Sequence, residues 1–286
     1  MIVTAEPGQA RDWTLIQSRS SRVAFVPTMG ALHDGHLTLV RRARELADHV
    51  VVSIFVNPTQ FAPTEDLNKY PRPIDADLAA LRSEGVSMVF TPSNEAIYPP
   101  GFSTYVQPPR VAEELEGQIR PGHFRGVCTV VLKLFQIIPA SVAVFGQKDF
   151  QQALVITNMV NDLCLPITID VVPTVREPDG LAMSSRNRYL STEERSRALC
   201  LSKALREANR LFDKGERWAA ALQAAMMAEL KPGQPDGVDT VDYAVIADRN
   251  HLGQFARVPD SAVALVAARI GTTRLIDNRL LIPSTP

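Results

Sequence analysis

Through the first half of the chain, short apolar runs alternate with longer stretches in which apolar positions recur three and four residues apart. Val23 to Val26 predicts a strand, and Leu37, Val40, Leu46 and Ala47 then share one face of a helix from about His36 to Asp48. The β-branched run Val50 to Val56 predicts a second strand, followed by a helix over Asp75 to Glu84 and a short strand at Met88 to Phe90. A buried helix over Val127 to Ile138, a strand over Val142 to Phe145, a helix over Phe150 to Leu163 and a strand over Ile167 to Val172 continue the pattern. Strands that are apolar throughout are buried on both faces, so the alternation predicts a doubly wound, Rossmann-like parallel sheet. Ligands of such a sheet lie at the carboxyl ends of its strands, near a switch in strand order.

The pattern changes after Pro173. A polar loop from Val175 to Tyr189 leads to Ser191-Thr192-Glu193-Glu194, a capping-box signature that opens a helix through about Phe212. An alanine-rich helix near Trp218 to Leu230, a Pro/Gly loop at Lys231 to Gly237 and strand-like runs at Val238 to Ala247, Ala262 to Ile270 and Thr272 to Leu280 follow. Helices and strands are segregated here, which predicts a smaller α+β domain. The expected division is 1–174 and 175–286, with the polar loop as linker and the second domain as a lid.

Composition narrows the classes. The chain has 286 residues, 45% of them hydrophobic, enough for two domains. Thirty basic against 31 acidic residues leave a formal charge of −1 and give no electrostatic reason to expect nucleic acid or an anionic membrane as partner. The apolar stretch Val127 to Pro139 is interrupted by Lys133 and Gln136 and is shorter than the roughly 20 residues that span a bilayer. Met1 to Glu6 lacks the basic start and apolar core of a secretory signal, so a cytoplasmic location is expected. Cys128, Cys164 and Cys200 are odd in number and far apart, which predicts three buried free thiols rather than a disulfide or zinc site.

The chemistry concentrates where strands end. Pro27-Thr28-Met29-Gly30-Ala31-Leu32-His33-Asp34-Gly35-His36 delivers two histidines to the first turn of a helix, where open backbone N–H groups and the positive dipole end favour anions. Gly30 and Gly35 have P-loop spacing, but His36 and Leu37 replace the lysine and hydroxyl of a working P-loop, and no Gly-x-Gly-x-x-Gly follows the strand. Two readings of His-x-Gly-His remain: imidazoles that stabilise charge on a phosphate under attack, or residues that merely cap the helix.

Phe145-Gly146-Gln147-Lys148-Asp149 repeats the design, with a lysine placed to neutralise a polyphosphate or simply exposed at a capped helix. Gln152 follows about one turn later. Arg176 to Arg188 holds Ser184, Ser185 and Arg186 in a multi-donor loop suited to closing over phosphates. Gln60, in Asn57-Pro58-Thr59-Gln60-Phe61, follows the second predicted strand, either to meet substrate there or as an ordinary polar loop residue; His123, in a glycine-flanked basic loop before a helix, either helps order the site or only enters the helix. Asp75 and Asp77 are candidates for assisting magnesium or for compensating a helix dipole.

Together with Gly122-His123-Phe124-Arg125-Gly126-Val127 and Gly180-Leu181-Ala182-Met183-Ser184-Ser185-Arg186-Asn187, these motifs, in this order, resemble the pantoate–β-alanine ligase (pantothenate synthetase) family of the HxGH nucleotidyltransferase superfamily. The resemblance implies condensation of pantoate with β-alanine through a pantoyl adenylate, with ATP as substrate, Mg2+ as its companion ion, and a homodimer. By resemblance, ATP falls to Met29, Gly30, Ala31, Leu32, His33, Asp34, Gly35 and His36, to Gly146, Gln147, Lys148 and Asp149, and to Val175, Met183, Ser184, Ser185 and Arg186. His36, the proton donor, acts with His33, Lys148 and Arg186; Gln60 and Gln152 hold pantoate, Gln60 also serves β-alanine, and the protein ligands of the metal stay unassigned. Gln147 and Asp34 stand where the family more often has glutamate. Two rival readings are another HxGH adenylyltransferase, which as a synthetase would bring a larger RNA-binding region, and a catalytically silent nucleotide-binding regulator.

Overall fold

The computed structural model describes residues 1–61, 67 and 69–283, and the chain divides into two compact units: residues 1–147 with 151–173, and residues 148–150 with 174–286. The last three residues of the expected second domain, 284–286, lie outside the described residues.

In the first unit the elements run β1 (Ile2–Thr4), α1 (Pro7–Gln17), β2 (Val23–Thr28), α2 (Asp34–Leu46), β3 (His49–Ile54), α3 (Ile74–Ser83), β4 (Met88–Phe90), α4 (Asn94–Ile97), α5 (Glu116–Ile119), α6 (His123–Ile137), β5 (Val142–Gly146), α7 (Phe150–Asp162) and β6 (Thr168–Val172). The six strands form one parallel sheet in the order β1-β4-β3-β2-β5-β6. Val23, Ala24, Phe25 and Val26 of β2 are all buried, as the unbroken apolar run predicts for a strand covered on both faces. On one face Ala24 and Val26 pack with Leu39, Val40 and Ala43 of α2 and Leu81 of α3. On the other, Phe25 meets Phe135 of α6 edge to face at 6.3 Å. The chain lays β2, β3 and β4 outward in one direction and adds β5 and β6 in the other. The switch in strand order therefore falls between β2 and β5, where a cleft opens at the carboxyl edge of such a sheet.

The second unit has two long helices, α8 (Thr192–Asp213) and α9 (Ala219–Leu230), and an antiparallel sheet β7-β8-β9 (Thr240–Ala247, Ala262–Ile270, Thr273–Leu281). Leu201, Leu205 and Phe212 of α8 and Leu222 and Met226 of α9 pack on Ala264, Val266 and Ile270 of β8. The expected capping box is present: Ser191 Oγ accepts from Glu194 N at 3.2 Å, and Glu194 Oε2 accepts from Ser191 N at 2.8 Å.

Three departures from the sequence reading have local causes. β1 and α1 escape it because β1 is three residues long and α1 buries only Ala10 and Thr14, leaving Leu15 and Ile16 exposed, so no apolar stripe marks the helix. α6 begins at His123, four residues before the expected start, because Gly122 caps it in the left-handed conformation (φ 84°). Cys164 is exposed, unlike Cys128 and Cys200, because α7 ends at Asp162 and the chain turns through a left-handed Cys164 (φ 51°). Burial pushes the Cys128 thiol up to about 12 and the Cys200 thiol up to about 11, so neither ionises near neutrality.

Candidate active site

The turn after β2 is held from two sides. Thr28 Oγ1 donates to the Ser53 carbonyl at 2.7 Å and accepts from Gly30 N at 3.2 Å, tying the turn to β3. Gly30 (φ 79°) and Ala31 (φ 51°) then adopt consecutive left-handed conformations. A Cβ on Gly30 would lie 2.9 Å from Ile54 Cγ2 and 3.0 Å from Asp77 Oδ2, so conformation and space both require glycine.

His33 ends the turn in extended conformation as the N-cap of α2, which begins at Asp34, two residues earlier than the helix predicted from hydrophobic spacing. Its Nδ1 accepts the Gly35 N–H at 3.2 Å. In the neutral ring that assigns the proton to Nε2. His36 follows in the first helical turn, its N–H donating to the His33 carbonyl at 2.8 Å, and the two imidazole centroids are 4.1 Å apart. Capping and a shared imidazole wall are thus properties of the same pair: His33 caps, and its capping sets where His36 stands.

Gln60 lies on a 3-10 turn, Pro58–Gln60, after β3, and is organised by Asn57. The buried Asn57 amide donates to Gln60 Oε1 at 3.1 Å and to the Gly126 carbonyl at 3.3 Å, while its Oδ1 accepts from Thr59 Oγ1 at 3.0 Å and from the Tyr98 hydroxyl at 2.7 Å. Burial pushes the Tyr98 pKa up, which keeps the hydroxyl protonated as the donor this bond needs. Gln60 Nε2 points at Met29 Sδ, 3.3 Å away, so the pantoate candidate touches the histidine turn. The Gln60 carbonyl accepts from His123 Nδ1 at 2.8 Å and from Arg120 Nη2 at 3.3 Å. With Nδ1–H committed to that carbonyl, His123 Nε2 accepts from Arg120 Nη1 at 3.1 Å. A cavity of about 330 Å3 lies here, lined by Gln60, Phe61, Tyr105, Arg120, His123 and Arg125 among others.

Gly146 ends β5 and Gln147–Asp149 forms the 3-10 turn that follows, so the second predicted segment comes off the strand beside β2. Lys148 Nζ is 3.9 Å from Asp149 Oδ1. Gln152 is half-buried in the first turn of α7, whereas its neighbour Gln151 is buried and holds the loop before α5, donating to the carbonyls of Val111 at 2.9 Å and Glu114 at 2.7 Å.

In the second unit Val175 and Met183 are brought together, the Met183 N–H donating to the Val175 carbonyl at 3.0 Å. Ser184 Oγ accepts from Arg186 N at 3.2 Å and starts the 3-10 turn Ser185–Tyr189, which carries Ser185 and Arg186. The loop's arginines divide by role. Arg176 forks onto the buried Asp277 at 2.7 and 3.0 Å and holds the loop to β9, Arg188 is exposed, and Arg186 is half-buried in the turn that Ser184 starts.

Asp77 has a further task beside those the sequence offered: it is 3% exposed, and its oxygens accept the N–H groups of Ala31 and Leu32, each at 2.8 Å, so its carboxylate holds the histidine turn. Sequence reasoning also assigned no role to Asn57, although an Asn-Pro pair directly after a strand signals a side chain that caps a turn.

A parallel sheet whose histidine and lysine turns leave adjacent strands at the switch in strand order defines a Rossmann-like α/β protein with its ligand loops on the carboxyl edge. Within that class the chain belongs to the pantoate–β-alanine ligase family: the family model for pantoate-beta-alanine ligase matches residues 2–280. It is 54% identical over 276 residues to the pantothenate synthetase of Rhodopirellula baltica, covering 95% of this chain and 96% of that protein. With the pantothenate synthetase of Thermotoga petrophila it shares 50% over 266 residues, 93% of this chain and 94% of the relative. The crystal structure of pantothenate synthetase from Thermus thermophilus superposes with a TM-score of 0.93 at 42% identity, covering 99% of this chain and all of that one. The Francisella tularensis pantoate-beta-alanine ligase, solved with beta-gamma ATP and beta-alanine, gives 0.80 at 34% identity, with 98% of each chain covered.

Proposed function

We propose that this chain condenses pantoate with β-alanine at the expense of ATP. A carboxylate oxygen of pantoate attacks the α-phosphorus, forming an acyl–phosphate bond as the bond to the β-phosphate breaks and pyrophosphate leaves. The amine of β-alanine then attacks the acyl carbon, loses a proton, and expels AMP, giving the amide. The observation that carries this reading is the capped histidine pair on the Asp77-bound turn, in direct contact with Gln60, in a chain of this family.

Roles follow from chemistry. Met29 to His36 and Gly146 to Asp149 bind ATP, and membership of the family supports a nucleotide role for Val175 and Met183 to Arg186. His36 and His33 donate to phosphate oxygens as negative charge builds during attack; Lys148 and Arg186 neutralise the polyphosphate. Gln60, its amide oriented by Asn57, and Gln152, at the start of α7, hold the hydroxyls of pantoate, and Gln60 also meets β-alanine. No covalent bond to the protein is needed, so rate enhancement comes from positioning and charge stabilisation.

Mg2+ accompanying the nucleotide would take its ligands from phosphate oxygens and water, its usual preference, and no step is assigned to a protein-held ion. The reading carries with it a cytoplasmic homodimer, both on family membership; no helix among the described residues is long and apolar enough to cross a membrane.

Pyrophosphate exchange tests the assignment. Labelled pyrophosphate should enter ATP only when pantoate is present, and AMP should accumulate only when β-alanine is added. Exchange driven by another acid would point to a different adenylyltransferase, and nucleotide binding without exchange to a silent regulator. His36→Ala should lower exchange by about 100-fold or more, the scale of a lost charge-stabilising donor, with little change in stability.

A further inference from the structure

The histidine turn is held by a carboxylate that comes from another element. Asp77 stands in the first turn of α3 and is 3% exposed. Backbone groups hold its carboxylate: Oδ2 accepts the Ala31 N–H and Oδ1 the Leu32 N–H, both at 2.8 Å. A buried carboxylate is costly unless it is hydrogen-bonded, and these two donors, with the positive end of α3, stabilise it.

The direction of dependence is set by the backbone. Ala31 at φ 51° is a residue that rarely adopts the left-handed conformation, and it does so directly after Gly30 at φ 79°. Two successive residues there turn both following N–H groups inward, onto one carboxylate. Asp77 is what they point at. The chain leaves Leu32 straight into His33, whose side chain caps α2 and whose carbonyl receives the N–H groups of His36 at 2.8 Å and Leu37 at 3.1 Å. Between the Asp77-bound Leu32 and His36 the chain is fixed by two further bonds, the Gly35 N–H on His33 Nδ1 and the His36 N–H on the His33 carbonyl.

We propose that Asp77 is a positioning residue for adenylation: it never meets a substrate, and it sets the imidazoles of His33 and His36 by holding Gly30 to Leu32 in their left-handed turn. The proposal rests on the adenylation reading given above. Removing the carboxylate leaves two buried N–H groups without acceptors and a turn free to relax to right-handed geometry, which displaces the histidines relative to the α-phosphorus. A displacement of about 1 Å in an adenylation geometry costs on the order of 100-fold in rate.

Asp77→Asn keeps the shape and removes one acceptor, putting an amide against an N–H. It should lower kcat for pantoate-dependent pyrophosphate exchange by about 100-fold per folded molecule while KM for ATP changes only a few-fold, since the ground-state contacts of the nucleotide with other groups remain. Asp77→Glu retains the carboxylate and should recover part of the loss. Hydrogen exchange supplies a readout independent of activity: in the wild type the amides of Ala31 and Leu32 should be protected, and in Asp77→Asn they should exchange faster while the β2 amides stay protected. A purely structural Asp77 would lower the melting temperature and leave kcat of the folded fraction intact, which overturns the proposal. Unprotected Ala31 and Leu32 amides in the wild type overturn it as well, and need no variant that folds. Wild-type protein without pantoate-dependent exchange would instead sink the adenylation reading itself, so the two failures are distinguishable.

Discussion

At Gly126 the helix α6 lies against the Pro58–Gln60 turn, and Gly126→Ala is a substitution whose outcome the geometry decides sharply. A Cβ there would lie 2.4 Å from the Thr59 carbonyl oxygen, 2.6 Å from its carbon and 2.8 Å from Gln60 N. All three are backbone atoms, so no side chain can swing away; helix and turn must part by about 1 Å to reach ordinary contact, and overpacking of that kind costs about 1–3 kcal/mol. Parting also lengthens the Asn57 Nδ2 bond to the Gly126 carbonyl, already 3.3 Å, a bond whose net worth is about 1 kcal/mol. Against this stands the helix propensity of alanine over glycine, worth about 1 kcal/mol. Steric strain wins, and a net destabilisation of about 1–3 kcal/mol is expected by urea denaturation. Because the displaced turn carries Gln60, the pantoate dependence of pyrophosphate exchange should weaken more than the ATP dependence. Gly8→Ala is the control: with nothing within 4 Å of its Cβ, it should match the wild type or exceed it slightly. A Gly126→Ala protein with wild-type stability and unchanged pantoate dependence would refute the close approach of α6 to the Gln60 turn.

The two units and the cysteines give further expectations. Asp277→Asn strips the fork of Arg176 and should destabilise the protein by about 2–3 kcal/mol by urea denaturation, below the full cost of breaking a buried pair because Arg176 retains some solvent; an unchanged midpoint would contradict the role given to that pair. A thiol reagent under native conditions should modify Cys164 at once and leave Cys128 and Cys200 intact until unfolding, as read by peptide mass spectrometry.

How much of this was legible in the sequence depends on whether a residue's work is local. Val23–Val26 and Val50–Val56 betray a doubly covered sheet because each residue's burial is written in its own side chain, and the Ser191–Glu194 box is readable because both partners sit within one turn. His33 and His36 were visible for the same reason. Asp77 stood out as an acid in a first helical turn, but not as the anchor of the histidine turn: its partners, Ala31 and Leu32, are some 45 residues away and present backbone atoms, which leave no mark in composition. His123 showed as a loop histidine, but its contact with the Gln60 carbonyl spans 63 positions and appears only when α6 docks on the turn after β3. Arg176, grouped by sequence with the phosphate-facing arginines, was drawn off by Asp277, 101 residues on. Two helix starts also shifted, where the His33 side chain and the left-handed Gly122 make the caps, because hydrophobic spacing sees only the buried face.

The central claim is that pantoate is activated by attack of its own carboxylate on the α-phosphorus. Pantoate carrying 18O in both carboxylate oxygens tests it in a single turnover with ATP and β-alanine. The account predicts one labelled oxygen in the phosphate of AMP and one in the amide carbonyl of the product. AMP free of label, or label appearing in a cleaved β- or γ-phosphate, would contradict it.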